Sequence, residues 1–147
     1  MPSASLAIAP ITDADIAGVV ALWQACGLTR PWNDPAADIA LARRGPSSAV
    51  LVGRDAGAIV ATAMVGHDGH RGWVYYVAVD PTRQGKGLGR VMMAAAEDWL
   101  RAAGVPKLQL LVRRENAKAS AFYQTLGYEE STSVMLAKWL DGREATP

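Results

Sequence analysis

The stretch Gln84-Gly85-Lys86-Gly87-Leu88-Gly89-Arg90 sets three alternate glycines between an apolar run, Val77-Ala78-Val79, and the start of an amphipathic helix. A strand, a glycine loop and a helix N-terminus together make a site for phosphate groups. The loop's backbone N–H groups and the positive end of the helix dipole both favour an anion. A plain strand-to-helix turn does not call for three alternate glycines. Lys86 and Arg90 either add charge to that site or are simply solvated. Farther on, Asn116, Ala119 and Tyr123 stand at i, i+3 and i+7, on one face of a helix. The two histidines, His67 and His70, prompt a check for metal, but no Cys, third His or Glu is spaced to complete a ligand set, so none is expected.

The glycine register decides between nucleotide-binding loops. A dinucleotide fingerprint needs G-x-G-x-x-G and an acidic residue on the next strand; here the register is G-x-G-x-G, and Leu108 to Val112 hold no carboxylate. A Walker A loop needs G-x-x-x-x-G-K-[ST], and the register of Gly85 fails it. The form Q/R-x-x-G-x-G/A does fit Gln84 to Gly89, and N-x-x-A-x-x-F-Y-x-x-x-G-[FY] fits Asn116 to Tyr128. On these two motifs the chain resembles the GNAT superfamily of N-acetyltransferases, from about Leu6 to Leu140. The Leu28–Pro35 and Gly69–Trp73 segments look like a small bacterial subgroup of unassigned substrate.

The resemblance implies acetyl-CoA as co-substrate. Its pyrophosphate would lie on Gln84, Gly85, Lys86, Gly87, Leu88, Gly89 and Arg90, and its pantetheine arm along the backbone of Val77, Ala78 and Val79. An N–H of that strand would meet the thioester oxygen. Asn116, Ala119 and Tyr123 would border the cofactor, with Tyr123 either the general acid for the departing thiolate or a packed wall of the thiol pocket. Some relatives place a carboxylate base on the strand before the loop. Trp73 to Val79 has none, which leaves Asp34, Asp68, His70 and Glu115 as substitutes, none singled out. Trp32, Asp34 and Tyr75 are the candidates for the acceptor pocket, in which Trp32, Tyr75 and Tyr76 either hold a cation or pack the core. The reading is an N-acetyltransferase acting on a primary amine. The alternative is a non-catalytic acyl-CoA-binding domain of the same fold.

The elements that must hold these residues follow from periodicity. Strands are expected at Leu6–Ile11, Ser48–Arg54, Ala58–Val65, Trp73–Val79 and Lys107–Val112. Further strands are expected from Tyr128 onward and at Val134–Leu140. Helices are expected from Thr12 to Cys26, with Asp15 completing an imperfect capping box, and at Ala36–Arg43, Leu88–Ala103 and Asn116–Leu126. The third helix carries one apolar face of Leu88, Val91, Met92, Ala95, Ala96, Trp99, Leu100 and Ala103. The order argues a mixed α/β fold with helices on both faces of a mostly antiparallel sheet. The resemblance adds that the sheet's middle strands splay.

A chain of 147 residues, half of them hydrophobic and a fifth charged, favours one globular domain, taken as 5–141, with 142–147 frayed. A net charge of +1 gives no basic surplus for nucleic acid or an anionic membrane. The single cysteine, Cys26, excludes an internal disulfide, reads as a buried structural thiol and fits a reducing compartment. No signal peptide and no membrane-length apolar run stand out, so a cytoplasmic location is expected. Oligomeric state stays open, a homodimer included.

Overall fold

The structure, a computed structural model, describes residues 5–144. They fall into two compact units, one within Met1–Leu111 and one within Val112–Pro147. The frayed tail expected at 142–147 lies outside the described residues from 145 on.

The first unit is a five-stranded sheet in the order β1-β2-β3-β4-β5. Its strands are β1 (Ala7–Pro10), β2 (Ser48–Asp55), β3 (Ala58–His67), β4 (Gly72–Val79) and β5 (Leu108–Gln109). The first four pair antiparallel, and β4 pairs β5 parallel. The mixed α/β architecture expected from the sequence is therefore the one observed. The β2–β3 connection is Ala56-Gly57, both at positive φ, a hairpin turn whose twist suits the flanking strands. β3 runs two residues past its expected end because its ladders continue there, Gly66 pairing Ser48 and Trp73 and His67 pairing Gly72; at Gly66 a Cβ would stand 2.8 Å from the Ser48 Cβ.

Helices cover both faces of the sheet. On one face lie α1 (Ile16–Ala25) and α2 (Pro35–Ala42), whose Val19, Leu22, Trp23, Ile39 and Ala42 pack with Val50, Val52 and Ala78. A short 3-10 turn at Asp13–Asp15 precedes α1. There Asp15 accepts from both the N–H and the hydroxyl of Thr12 at 2.9 Å, the capping arrangement the sequence suggested. On the opposite face lies α3 (Leu88–Ala102), which buries Leu88, Met92, Met93, Ala96 and Leu100. Met93 replaces Val91 and Ala95 at the centre of the expected stripe, a rotation of the face by one position. Gly72 lets α3 close on β4, since a Cβ there would run into the Leu100 side chain.

The second unit holds one helix, α4 (Ala117–Thr125). The strands expected from Tyr128 onward and at Val134–Leu140 are absent, and residues 126–144 hold no strand. A strand exists only by pairing, and this segment has no ladder partner among the described residues. Its apolar side chains are correspondingly bare: Val134 is 80% exposed and Leu136 and Leu140 are each 92% exposed. The strand expected at Lys107–Val112 shrinks to two residues for the same reason, because its ladder with β4 covers two pairs.

Candidate functional site

The loop from β4 to α3 has the geometry of an anion cradle. Asp80 starts it, its carboxylate accepting from the Thr82 N–H at 2.9 Å, and Pro81–Arg83 form a 3-10 turn. Gly85 and Gly87 both adopt left-handed backbone, φ +80 and +79. Gly87 is the N-cap of α3, and no side chain caps that end. The first-turn N–H groups at Leu88, Gly89 and Arg90 thus keep the orphan donors that a Ser or Asp cap would take. Leu88 is buried and pins the turn, while Gln84, Lys86 and Arg90 are exposed. Arg83 pairs with Asp55, whereas Lys86 and Arg90 enter none of the ion pairs among the described residues. Gly89 lies inside the helix and needs no special φ.

β4 leads into this cradle and is irregular. Its register against β3 slips between Thr62 and Met64, so Tyr76 and Val77 together oppose Ala63. Tyr76 has φ +51, a value bulky residues avoid. On its other edge β4 pairs β5 at Gly72↔Leu108 and Trp73↔Gln109 and no further. From Val74 to Val79 that edge has no strand beside it among the described residues, which is the splay the resemblance implied. The Cys26 thiol, expected to be buried, is half-buried; it donates to the Val79 carbonyl at 3.2 Å, and burial pushes its pKa up.

Three side chains read as acceptor-pocket candidates have distinct settings. Trp32 is half-buried, and Tyr75 is exposed on the α1–α2 face, where it pairs across from Met64. Asp34 is the N-cap of α2, its Oδ1 accepting from the N–H groups of Ala36 and Ala37. Asp68 is similarly engaged: Oδ1 accepts from His70 and Arg71 N–H and Oδ2 from the Trp73 indole. The Arg71 N–H first, then Trp73 and the His70 N–H, lower its pKa to about 2. A carboxylate so stabilised is a poor proton acceptor, and the turn geometry accounts for it. A depressed folded-state pKa contributes stability above the unfolded value and loses it as pH falls. The melting temperature of the parent should therefore exceed that of Asp68→Asn at neutral pH, and the gap should close between pH 3.8 and about 2. A pH-independent gap would contradict this. His70 and Glu115 are exposed.

In the second unit, Asn116 caps α4, its Oδ1 accepting from the Ala119 N–H at 3.1 Å. Gly127, at φ +93, closes the far end, where the Tyr128 N–H returns to the Tyr123 carbonyl. Tyr123 and Ala119 are half-buried. The Tyr123 ring meets Phe122 and Tyr128 edge-on, at centroid distances of 5.0 and 6.0 Å. Burial pushes its phenol above the ordinary value, which favours the neutral form.

The sequence reading missed two side chains behind β4, Thr62 and Asp38. Thr62 was visible as the one polar residue in an otherwise apolar Val60–Val65 run; Asp38 carried no signal apart from its helix.

Known proteins share this fold. The Acetyltransferase (GNAT) family matches residues 17–128. An acetyltransferase of Yersinia enterocolitica is 40% identical over 126 residues, covering 86% of this chain and 89% of its own. The ribosomal-protein-S18-alanine N-acetyltransferase of Escherichia coli superposes with a TM-score of 0.75 at 28% identity, over 87% of this chain and 80% of its own. An aminoglycoside N-acetyltransferase in complex with CoA shares the fold, with a TM-score of 0.79 at 16% identity over 92% and 95% of the two chains. The chain belongs to the GNAT family of acetyltransferases.

Proposed function

We propose that this acyltransferase moves the acetyl group of acetyl-CoA directly to a primary amine. The observation that carries the reading is the uncapped start of α3 on Gly87, beside a β4 edge that no strand covers among the described residues. The solved structures named for N-acetylation, one of them in complex with CoA, support the same donor and an amine acceptor.

In this reading Gln84 to Arg90 hold the pyrophosphate through backbone N–H groups, with Lys86 and Arg90 adding charge. Val77, Ala78 and Val79 offer backbone groups to the pantetheine arm, as a sheet edge does to an added strand. Acetyl-CoA supplies an activated thioester. The amine nitrogen bonds to the acetyl carbon and the C–S bond breaks; an N–H within Val77–Val79 stabilises the thioester oxygen as it gains charge, Tyr123 protonates the departing thiolate, and the proton lost by the amine nitrogen returns to Tyr123 through water. Asn116 and Ala119 keep the helix of Tyr123 in register. Trp32, Asp34 and Tyr75 form the acceptor side, Asp34 through the cap that fixes its loop.

Thermal denaturation with and without acetyl-CoA tests the binding half. Ligand at a hundred times its dissociation constant should stabilise the protein by about 2.7 kcal/mol. An unchanged melting temperature at millimolar acetyl-CoA would sink the reading.

A further inference from the structure

Four side chains from four elements converge on the bend in β4. Trp23 of α1, fully buried, donates its indole N–H to Thr62 Oγ1 of β3 at 2.8 Å. Thr62, also fully buried, donates its own hydroxyl to the Tyr76 carbonyl at 2.9 Å. The Tyr76 ring stacks on Trp23, with centroids 3.8 Å apart and planes 8° from parallel. The Tyr76 hydroxyl donates to Asp38 Oδ2 of α2 at 2.7 Å.

These bonds explain an otherwise costly conformation. Positive φ at a tyrosine is unfavourable and persists only where surroundings over-determine it. Here the carbonyl, the ring and the hydroxyl of Tyr76 are each held by a different element. The bend also breaks the two-residue alternation, so Tyr75 and Tyr76 share the α1–α2 face. Residues 77–79, which follow directly, then run along the uncovered edge. The orientation of their N–H groups depends on where Tyr76 is fixed.

We propose that Thr62 is the positioning residue for acetyl transfer: clamped between Trp23 and Tyr76, it sets the β4 bend and thereby aims the backbone N–H that meets the thioester oxygen. Tyr76 and Asp38 steady the same bend from its outer side. This rests on the acetyl-CoA reading above. The clamp acts on the reacting end, whereas the phosphates are gripped by a separate loop, so its loss should appear in kcat and not in KM.

The test compares Thr62→Val, Thr62→Ser and Tyr76→Phe by steady-state kinetics with acetyl-CoA and an accepted amine, normalised to folded protein by near-ultraviolet circular dichroism. Valine keeps the shape of threonine and loses the hydroxyl; serine keeps the hydroxyl and loses a methyl. Positioning predicts that Thr62→Val lowers kcat by about tenfold or more, with KM for acetyl-CoA within about threefold. Thr62→Ser should retain most of kcat. A packing role predicts the reverse order, and kcat of the valine variant equal to or above that of the serine variant would overturn the proposal. If Thr62→Val does not fold, Tyr76→Phe decides: it cuts the Asp38 bond alone and should lower kcat by about threefold at constant KM. Unchanged kcat there would equally overturn it. A parent protein that acetyl-CoA does not stabilise would instead overturn the acetyl-CoA reading itself.

Discussion

Replacing Gly87 with valine is expected to abolish stabilisation by acetyl-CoA while leaving the protein folded. Gly87 has φ +79, and among the described residues no atom beyond its chain neighbours lies within 4 Å of where a Cβ would sit, so the cost to the fold is backbone strain and not a clash. For a non-glycine residue in left-handed backbone that cost is roughly 1–2 kcal/mol, somewhat more for a branched side chain. Relief of the strain turns the Gly87 peptide, and the Leu88 N–H turns with it. The valine side chain also occupies the open space over the N-terminus of α3. Both effects fall on the donors that would face the pyrophosphate. Gly104 supplies the control. It too has left-handed backbone, φ +78, and an open Cβ position, but it follows the C-terminal end of the same helix. Fifteen residues of helix put it about 22 Å away. Gly104→Val should lose a similar amount of stability and still be stabilised by acetyl-CoA. If both variants lose the ligand effect, strain alone explains the loss and the cradle assignment fails.

Tyr123→Phe should lower kcat roughly a hundredfold, the scale of one positioned proton donor. KM for acetyl-CoA should change little, since in the proposed mechanism the phenol hydroxyl acts on the leaving thiolate and adds little to ground-state binding. The pH profile gives a second reading. A general acid must be protonated, so the parent's kcat should fall at high pH as Tyr123 ionises, and burial places that limb above the ordinary tyrosine value. The limb should be missing in the variant. Equal loss of kcat and of acetyl-CoA affinity would make Tyr123 a packing residue of the Phe122–Tyr128 aromatic group.

The parts of this site that could be read from the sequence are those set by local rules. Gly85 and Gly87 stand where only glycine takes the backbone easily, so their spacing carried the loop geometry directly. The apolar stripe of α3 was legible to within one position, because a helix has one period. The Thr12–Asp15 cap was legible because capping acts over three residues. What escaped depends on long-range partners. The Thr62–Trp23 bond spans 39 residues and the Tyr76–Asp38 bond 38, and no local pattern marks either pair. Positive φ at Tyr76 contradicts local preference altogether and follows from tertiary bonds. Asp34 and Asp68 looked like spare carboxylates, yet each is occupied by backbone N–H groups of its own turn. The apolar run at Val134–Leu140 suited a strand by composition, but a strand also needs a neighbour, and composition does not supply one.

The most direct test of the central claim is release of free CoA thiol when the purified protein meets acetyl-CoA and a panel of amines: amino acids, small polyamines, aminoglycosides and peptide N-termini. The account predicts thiol release that depends on one class of amine and matches acetylated product one for one. Stabilisation by acetyl-CoA without amine-dependent thiol release across the whole panel would contradict it, and would leave a CoA-binding domain in place of an N-acetyltransferase.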